Sequence, residues 1–338
     1  MFYKKPIFFE QNRVFRVYTG GKLMGKFLGK NFEDDFYPEE WVCSAVRAMN
    51  EGSTDIYEGV SKIEGEDLYF NDAINKYKKE ILGDADNVKI LVKYLDSAIR
   101  LPVQAHPTKA FSREYFNSDH GKEESWYILD TRPNACVYFG FKEGITKEKF
   151  MDAIEKSETD KTVMEDLLVR HEVKKGDVIF IPANTVHAIG AGCLILEVQE
   201  PTDFTVQPER WCGDYKLSDY QMYLGLDKEI SMKCFDFKTS PNSFLTPKEV
   251  YNKDGVSVEE IINSDVTDSF SLSRININGG NYILADKTGI YVIAEGEGTV
   301  TGDRYEKKVK QGDYFFLPAA AADNFSLNGN NLTVLLCK

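Results

Sequence analysis

Two stretches of the chain, from about Val88 to Gln199 and from about Phe270 to the end, repeat one pattern: short apolar runs cut by Gly, Pro, Asn and Asp. Such runs between turn residues predict buried strands joined by tight turns. Helical periodicity is confined to a few segments. It appears over Asp72 to Leu82 and over Lys147 to Arg170, where Phe150, Ile154, Val163, Leu167 and Leu168 recur among charges. The pattern therefore predicts a mainly β chain with helical insertions, one of them over about 145–172.

One strand module occurs twice. Lys175-Gly-Asp-Val-Ile-Phe-Ile-Pro-Ala183 and Gln311-Gly-Asp-Tyr-Phe-Phe-Leu-Pro-Ala319 share Gly-Asp, an apolar strand and Pro-Ala, 136 residues apart. Before the second copy, Ile290-Tyr-Val-Ile-Ala-Glu-Gly-Glu-Gly-Thr-Val300 reads as strand, glycine turn, strand, the lead-in to such a unit in a double-stranded β-helix.

Within the first β-rich stretch, four residues have the setting of metal ligands projected from a β wall. Gln104 and His106 are two apart in an extended segment, so their side chains share a face. Glu124 opens the next apolar run, and a hairpin-like return brings its carboxylate beside His106. His187 follows a turn, a buried strand and a proline stop. Two imidazoles, a carboxylate and an amide oxygen form an N/O set that suits zinc or another divalent first-row ion. His120, in a polar loop, and His171, at the end of a charged helical stretch, lack this setting and read as solvated. The 136-residue offset puts Asp323 where the first copy has His187, and the second copy contains no histidine, so it reads as metal-free. Trp41 and Trp126 read as core aromatics.

A chain of 338 residues buries a large core and holds two or three structural units. No stretch approaches the roughly twenty apolar residues of a membrane span, which predicts a soluble protein without a membrane partner. The six cysteines form no Cys-x-x-Cys pair, so they are expected to be thiols in a reducing compartment, the cytoplasm. A net charge of −13 argues against nucleic acid as a partner. It also repels a phosphorylated metabolite at long range, so such a ligand needs a local cluster of Lys or Arg.

The residues resemble type I phosphomannose isomerases, metal-dependent members of the cupin superfamily. The resemblance rests on Pro6-Ile-Phe-Phe, on Glu39-Glu-Trp41-Val-Cys-Ser44, and on Leu91-Val-Lys93-Tyr-Leu-Asp96 followed by Val103-Gln104-Ala-His106-Pro107. It continues in Gly121-Lys122-Glu-Glu124-Ser-Trp126-Tyr, in Ile181-Pro-Ala-Asn-Thr-Val-His187-Ala, and in Glu197-Val-Gln with Asp203-Phe-Thr205. It implies two cupin (jelly-roll) barrels. These are a catalytic one over residues 1–215 and a metal-free, cupin-like one over 241–338, joined by a connecting segment over 216–240.

The resemblance also implies zinc, or a similar divalent ion, on Gln104, His106, Glu124 and His187, and the interconversion of mannose 6-phosphate and fructose 6-phosphate. Glu197 falls on a family carboxylate and becomes the candidate acid/base. Lys93 and Lys122 match family lysines near the pocket and become candidates for the phosphate. The chain departs from the pattern twice. Gln207 stands where the family's Asp-x-Thr-x-Arg has a catalytic arginine, and Pro102 stands where it has a serine. An amide carries no charge, so Arg210, three residues on, is the candidate for reaching the same space. The expected assembly is a monomer or homodimer.

Overall fold

The computed structural model describes residues 1–237 and 243–338. The end of the connecting segment expected over 216–240 thus lies outside the described residues from 238 on. The architecture is mainly β with antiparallel sheets, as the apolar pattern predicts.

The first nine strands are β1 (Arg13–Val14), β2 (Glu39–Val42), β3 (Leu91–Ser97), β4 (Glu124–Thr131), β5 (Cys136–Phe141), β6 (Leu168–Glu172), β7 (Val178–Ile181), β8 (His187–Ile189) and β9 (Cys193–Gln199). Six of them form a sheet in the order β1-β2-β3-β9-β4-β7, and three form a second in the order β6-β5-β8. An eight-stranded sheet is built from residues 248–337.

The six-stranded sheet is apolar on both faces because both are covered. Tyr94, Leu196 and Tyr127 point to one side, into a core shared with Leu272, Ile290, Val292, Phe316 and Leu335 of the eight-stranded sheet. Polar atoms tie the two sheets as well. Tyr94 donates to the Gly312 carbonyl (3.2 Å) and the Tyr314 hydroxyl to Glu40 (2.6 Å). Leu95, Ile195, Ile128 and Trp126 point to the other side, into a core closed by Val103, Val137, Phe139 and Ile189. Alternation along each strand thus separates a structural face from a face that looks into the candidate site.

The repeat forms the same turn twice. Gly176 and Gly312 take φ of 91° and 90°, a region that costs glycine nothing and other residues strain. Asp177 and Asp313 each accept from a backbone N–H three residues back, Lys174 and Lys310, at 2.9 Å. Each turn then feeds a short strand, β7 in one copy and Tyr314–Phe316 in the other.

Four local expectations differ from the structure. The glycine turn expected near Gly296 is a bulge in one continuous strand, Ile290–Gly302, because that strand pairs with Phe325–Cys337 on both sides of the shift. The helical stretch expected over Lys147–Arg170 ends at Lys156, and Leu168–Glu172 is a strand on β5. His171 is therefore not solvated but half-buried, its ring stacked on Phe139 at 3.9 Å between centroids. Finally, a helix, Lys109–Phe116, interrupts the hairpin-like return from His106 to Glu124. Thr108 caps it by accepting from the Phe111 N–H (3.2 Å), and Asn117 ends it in the left-handed region. No helix among the described residues is long and apolar enough to cross a membrane.

Candidate active site

Strand register builds the wall of the site. Trp41 on β2 stands opposite Lys93 on β3, Lys93 opposite Glu197 on β9, and Glu197 opposite Trp126 on β4. This cross-strand row of aromatic, cation, anion and aromatic is buried throughout, with Lys93 and Glu197 each 3% exposed. Lys93 Nζ lies 3.0 Å from Glu197 Oε1 and 5.2 Å from the centre of the Trp41 ring. Two buried charges are tolerated here because each is the other's partner.

Beside this row lies the metal-ligand candidate. One nitrogen of His106, one of His187 and one oxygen of Glu124 lie within 4.8 Å of one another. The backbone brings them together: Gln104 and His187 exchange two N–H to carbonyl bonds of 2.9 Å, and Glu124 begins β4. His106 Nδ1 donates to the Phe204 carbonyl (3.0 Å) and His187 Nδ1 to the Thr185 carbonyl (2.8 Å). A carbonyl only accepts, so the proton sits on Nδ1 in both rings and the Nε2 lone pairs turn toward Glu124. They meet its carboxylate at 2.9 Å and 3.3 Å. The helix Lys109–Phe116 supports this arrangement, since Phe116 stacks on Phe204 at 4.5 Å.

Lone pairs facing a carboxylate repel unless a cation lies among them. His187 Nε2 and Glu124 Oε2 are buried and accept no hydrogen bond. A positive group is already present: Lys122 Nζ lies 2.9 Å from His106 Nε2 and 3.2 Å from Glu124 Oε2. The residues therefore fit a divalent ion, with fixed tautomers, orphaned acceptors and a cationic stand-in. Trp126 Nε1 donates to the other oxygen, Glu124 Oε1 (3.1 Å).

Electrostatics follow from burial and neighbours. Burial, then Lys122, lowers the His106 pKa to about 3, so the ring is neutral at physiological pH. Burial works against the Glu124 charge, yet the Lys122 ammonium holds its carboxyl well below the usual range. Burial pushes the Glu197 carboxyl up, opposed by Lys93. Glu39 is the reverse: burial opposes its charge, but Arg16 and Lys93 lower it to about 2.

These groups meet one cavity with its mouth in solvent, whose lining includes Glu39 and Glu124 but neither imidazole. Gln104, Lys93, Lys122, Glu124, Glu197 and Gln207 all line it. Arg210 is not among the lining residues, a correction to the expectation that it fills the space of the missing arginine. Its guanidinium bonds Glu158 (2.6 Å), Asp219 (2.8 Å) and the Leu217 carbonyl (2.7 Å), which hold it away from the cavity. Gln207 donates to the Gln221 carbonyl (3.0 Å), which fastens it to the helix Asp219–Tyr223 at the mouth. Arg16 also lines the cavity and was not singled out in the sequence. Its available signal is the alternation Val14, Arg16, Tyr18, a charge on the inward side of an extended run.

No family model matches the chain. The probable mannose-6-phosphate isomerase GmuF of Bacillus subtilis is 30% identical over 334 residues, covering 96% of this chain and 96% of that protein. The chain belongs to the mannose-6-phosphate isomerase family. The mannose-6-phosphate isomerase ManA of Bacillus subtilis is 29% identical over 332 residues, again covering 96% of each chain. Among solved structures, the mannose 6-phosphate isomerase from Bacillus subtilis superposes with a TM-score of 0.80 at 22% identity over 99% of both chains. A mannose 6-phosphate isomerase bound with zinc and yttrium superposes with a TM-score of 0.71 at 16% identity, over 98% of this chain and 99% of that one. These likenesses show that the fold is that of the family.

Proposed function

We propose that the chain is a metal-dependent aldose–ketose isomerase that interconverts mannose 6-phosphate and fructose 6-phosphate through an enediol. The observation that carries this reading is the convergence of the His106, Glu124 and His187 lone pairs, with Glu124 lining the cavity that also holds Glu197. Gln104, which lines the same cavity as Glu124, would be the fourth ligand. The ion is zinc, which the N/O donor set suits and which a structural neighbour of the same fold binds. When bound, it supplies Lewis-acid polarisation of the sugar oxygens.

The chain's own residues do the rest. Glu197 takes the proton from C2 of the aldose and returns it to C1, while the proton of the C2 hydroxyl passes to O1. Burial makes Glu197 a stronger base than an exposed carboxylate, and Lys93 keeps it from being protonated outright. Lys122 now rests against His106 and Glu124, which an ion would occupy. With those ligands engaged by an ion, its ammonium would be free for the substrate phosphate, with Lys93 behind it. Gln207 offers an amide where the family pattern has a guanidinium, so it orients a sugar hydroxyl rather than stabilising charge. We place the protein in the cytoplasm as a monomer or homodimer, a setting that suits six cysteines all buried and free.

The test is a coupled assay of mannose 6-phosphate conversion on protein stripped of metal and reloaded with zinc, beside Glu124→Ala. Zinc-dependent turnover lost in the variant supports the reading. Stoichiometric zinc without turnover would replace it with isomerisation of another sugar phosphate or with a sugar-phosphate binding or sensor role.

A further inference from the structure

We propose that Arg16 is a positioning residue of this site, joining the Lys93–Glu197 pair to the backbone that orients His106. The inference rests on the isomerase reading above. Arg16 is largely covered, its side chain 12% exposed, and its guanidinium spends its donors on the protein. Nε donates to Glu39 Oε2 (3.0 Å), Nη1 to Asn50 Oδ1 (3.0 Å) and the Phe15 carbonyl (3.3 Å), and Nη2 to both oxygens of Asp203 (3.2 Å each). A guanidinium so engaged has little left for a phosphate, so its effect on the reaction passes through its neighbours.

The neighbours lie on two sides. Toward the proton-transfer pair, Glu39 accepts from Tyr18 (2.6 Å), Trp41 (2.7 Å) and Arg16, with Lys93 Nζ only 4.0 Å away. Because Arg16 neutralises Glu39, Lys93 sits 3.0 Å from Glu197 instead of being drawn to Glu39. Toward the metal ligands, Asp203 immediately precedes Phe204, whose carbonyl holds the His106 ring. Asp203 also accepts from the Met49 N–H (2.9 Å), which fixes the loop at the cavity mouth. Asp203, Arg16, Glu39, Lys93 and Glu197 thus form one alternating chain of charge along the wall. Without the Arg16 charge, Glu39 and Asp203 compete for what remains, Lys93 moves off Glu197, and the Phe204 carbonyl loses its anchor.

The expected signature is a loss in turnover that outweighs any loss in substrate binding, since Glu197 and His106 act at the reacting centre while Lys93 stands only behind Lys122 at the phosphate. The experiment compares zinc-reloaded wild type, Arg16→Gln and Arg16→Lys for kcat and KM on mannose 6-phosphate, with melting temperature and zinc per chain alongside. Arg16→Gln should lose about tenfold or more in kcat with KM within about twofold of wild type, and should still bind zinc. Arg16→Lys should recover much of the loss, because its charge still neutralises Glu39.

A raised KM at unchanged kcat would overturn the proposal in favour of direct phosphate contact. Wild-type kinetics in Arg16→Gln, or no recovery in Arg16→Lys, would overturn it also. Should Arg16→Gln not fold, Asp203→Asn takes its place: a drop in kcat at constant KM supports the proposal, and wild-type kcat overturns it. Failure of the isomerase reading shows separately, as no turnover by the zinc-loaded wild type.

Discussion

Lys93 and Glu197, 104 residues apart in sequence, stand directly opposite each other on adjacent antiparallel strands with Nζ and Oε1 3.0 Å apart. Neither is solvated, so each sets the charge state of the other: burial alone would drive the lysine toward neutrality and the carboxylate toward protonation. Their attraction lets both remain ionised beside the metal-ligand cluster.

Removing one partner should therefore cost more than a surface ion pair would. Lys93→Met leaves a carboxylate buried beside Trp41 and Trp126, and the expected destabilisation is about 3–5 kcal/mol. Urea unfolding of the two proteins checks this. An unchanged midpoint would mean that Glu197 is already protonated in the native wild type. Turnover should also fall, since a protonated Glu197 is no base.

Zinc should stabilise the folded protein. An ion that binds only the native state adds about 2.7 kcal/mol at a hundredfold excess over its Kd. The melting temperature of chelator-treated wild type should rise on adding zinc, and that of Glu124→Ala should not. An equal response in the variant would place the ion elsewhere.

Trp126 should tune the ion without touching it. Its Nε1–H holds Glu124 Oε1 at 3.1 Å, and a lost partner of this kind lowers metal affinity by about 10- to 100-fold. Competition for zinc against a coloured chelator, with wild type and Trp126→Phe, measures the difference. Equal affinities would show that Glu124 is held by its backbone alone.

Adjacent residues on β2 should respond oppositely to pH. Glu39 has its pKa lowered to about 2, with burial opposing and Arg16 and Lys93 prevailing, so its contribution is present above the unfolded value near 4.5 and lost as pH falls toward 2. The linked stability is on the order of 3 kcal/mol. Glu40 has its pKa raised by burial, with one buried oxygen unpartnered, so its contribution is present below the unfolded value and lost as pH rises through the folded one. Thermal melts across pH should show Glu40→Gln less destabilised than wild type on the alkaline side and Glu39→Gln less sensitive on the acid side. Identical pH profiles for Glu40→Gln and wild type would show that Glu40 is charged to the same degree folded and unfolded.

Asp96 should matter to the fold rather than the chemistry. Its Oδ2 accepts from the backbone N–H groups of Gly21 (2.9 Å), Leu23 (2.7 Å) and Met24 (3.0 Å) at the start of the helix Lys22–Leu28, and Arg132 pairs with it at 3.1 Å. Asp96→Ala leaves those donors buried without an acceptor and should cost about 3 kcal/mol. Chemical denaturation reads the loss, while kcat of the folded protein should be retained.

Local rules read along the chain reach as far as periodicity, turn chemistry and the nature of each side chain. Alternation and turn residues gave a mainly β chain, and the shared Gly-Asp and Pro-Ala marked a turn and strand that the structure builds twice in the same form. Spacing singled out His106, Glu124 and His187, because a ligand's chemistry belongs to its own side chain and its place on a strand. Tertiary structure decided the rest. The helix Lys109–Phe116 and the strand Leu168–Glu172 follow from packing against Phe204 and β5, which overrides weak local preference. Register across β2, β3, β9 and β4 fixed which charge faces which, and so made Lys93 the partner of Glu197. Arg210 and Arg16 show the same division. The arginine three residues from Gln207 in sequence is tied down outside the cavity, and one near the N-terminus lines its wall, because proximity in a β fold is set by strand pairing and shared burial rather than by distance along the chain.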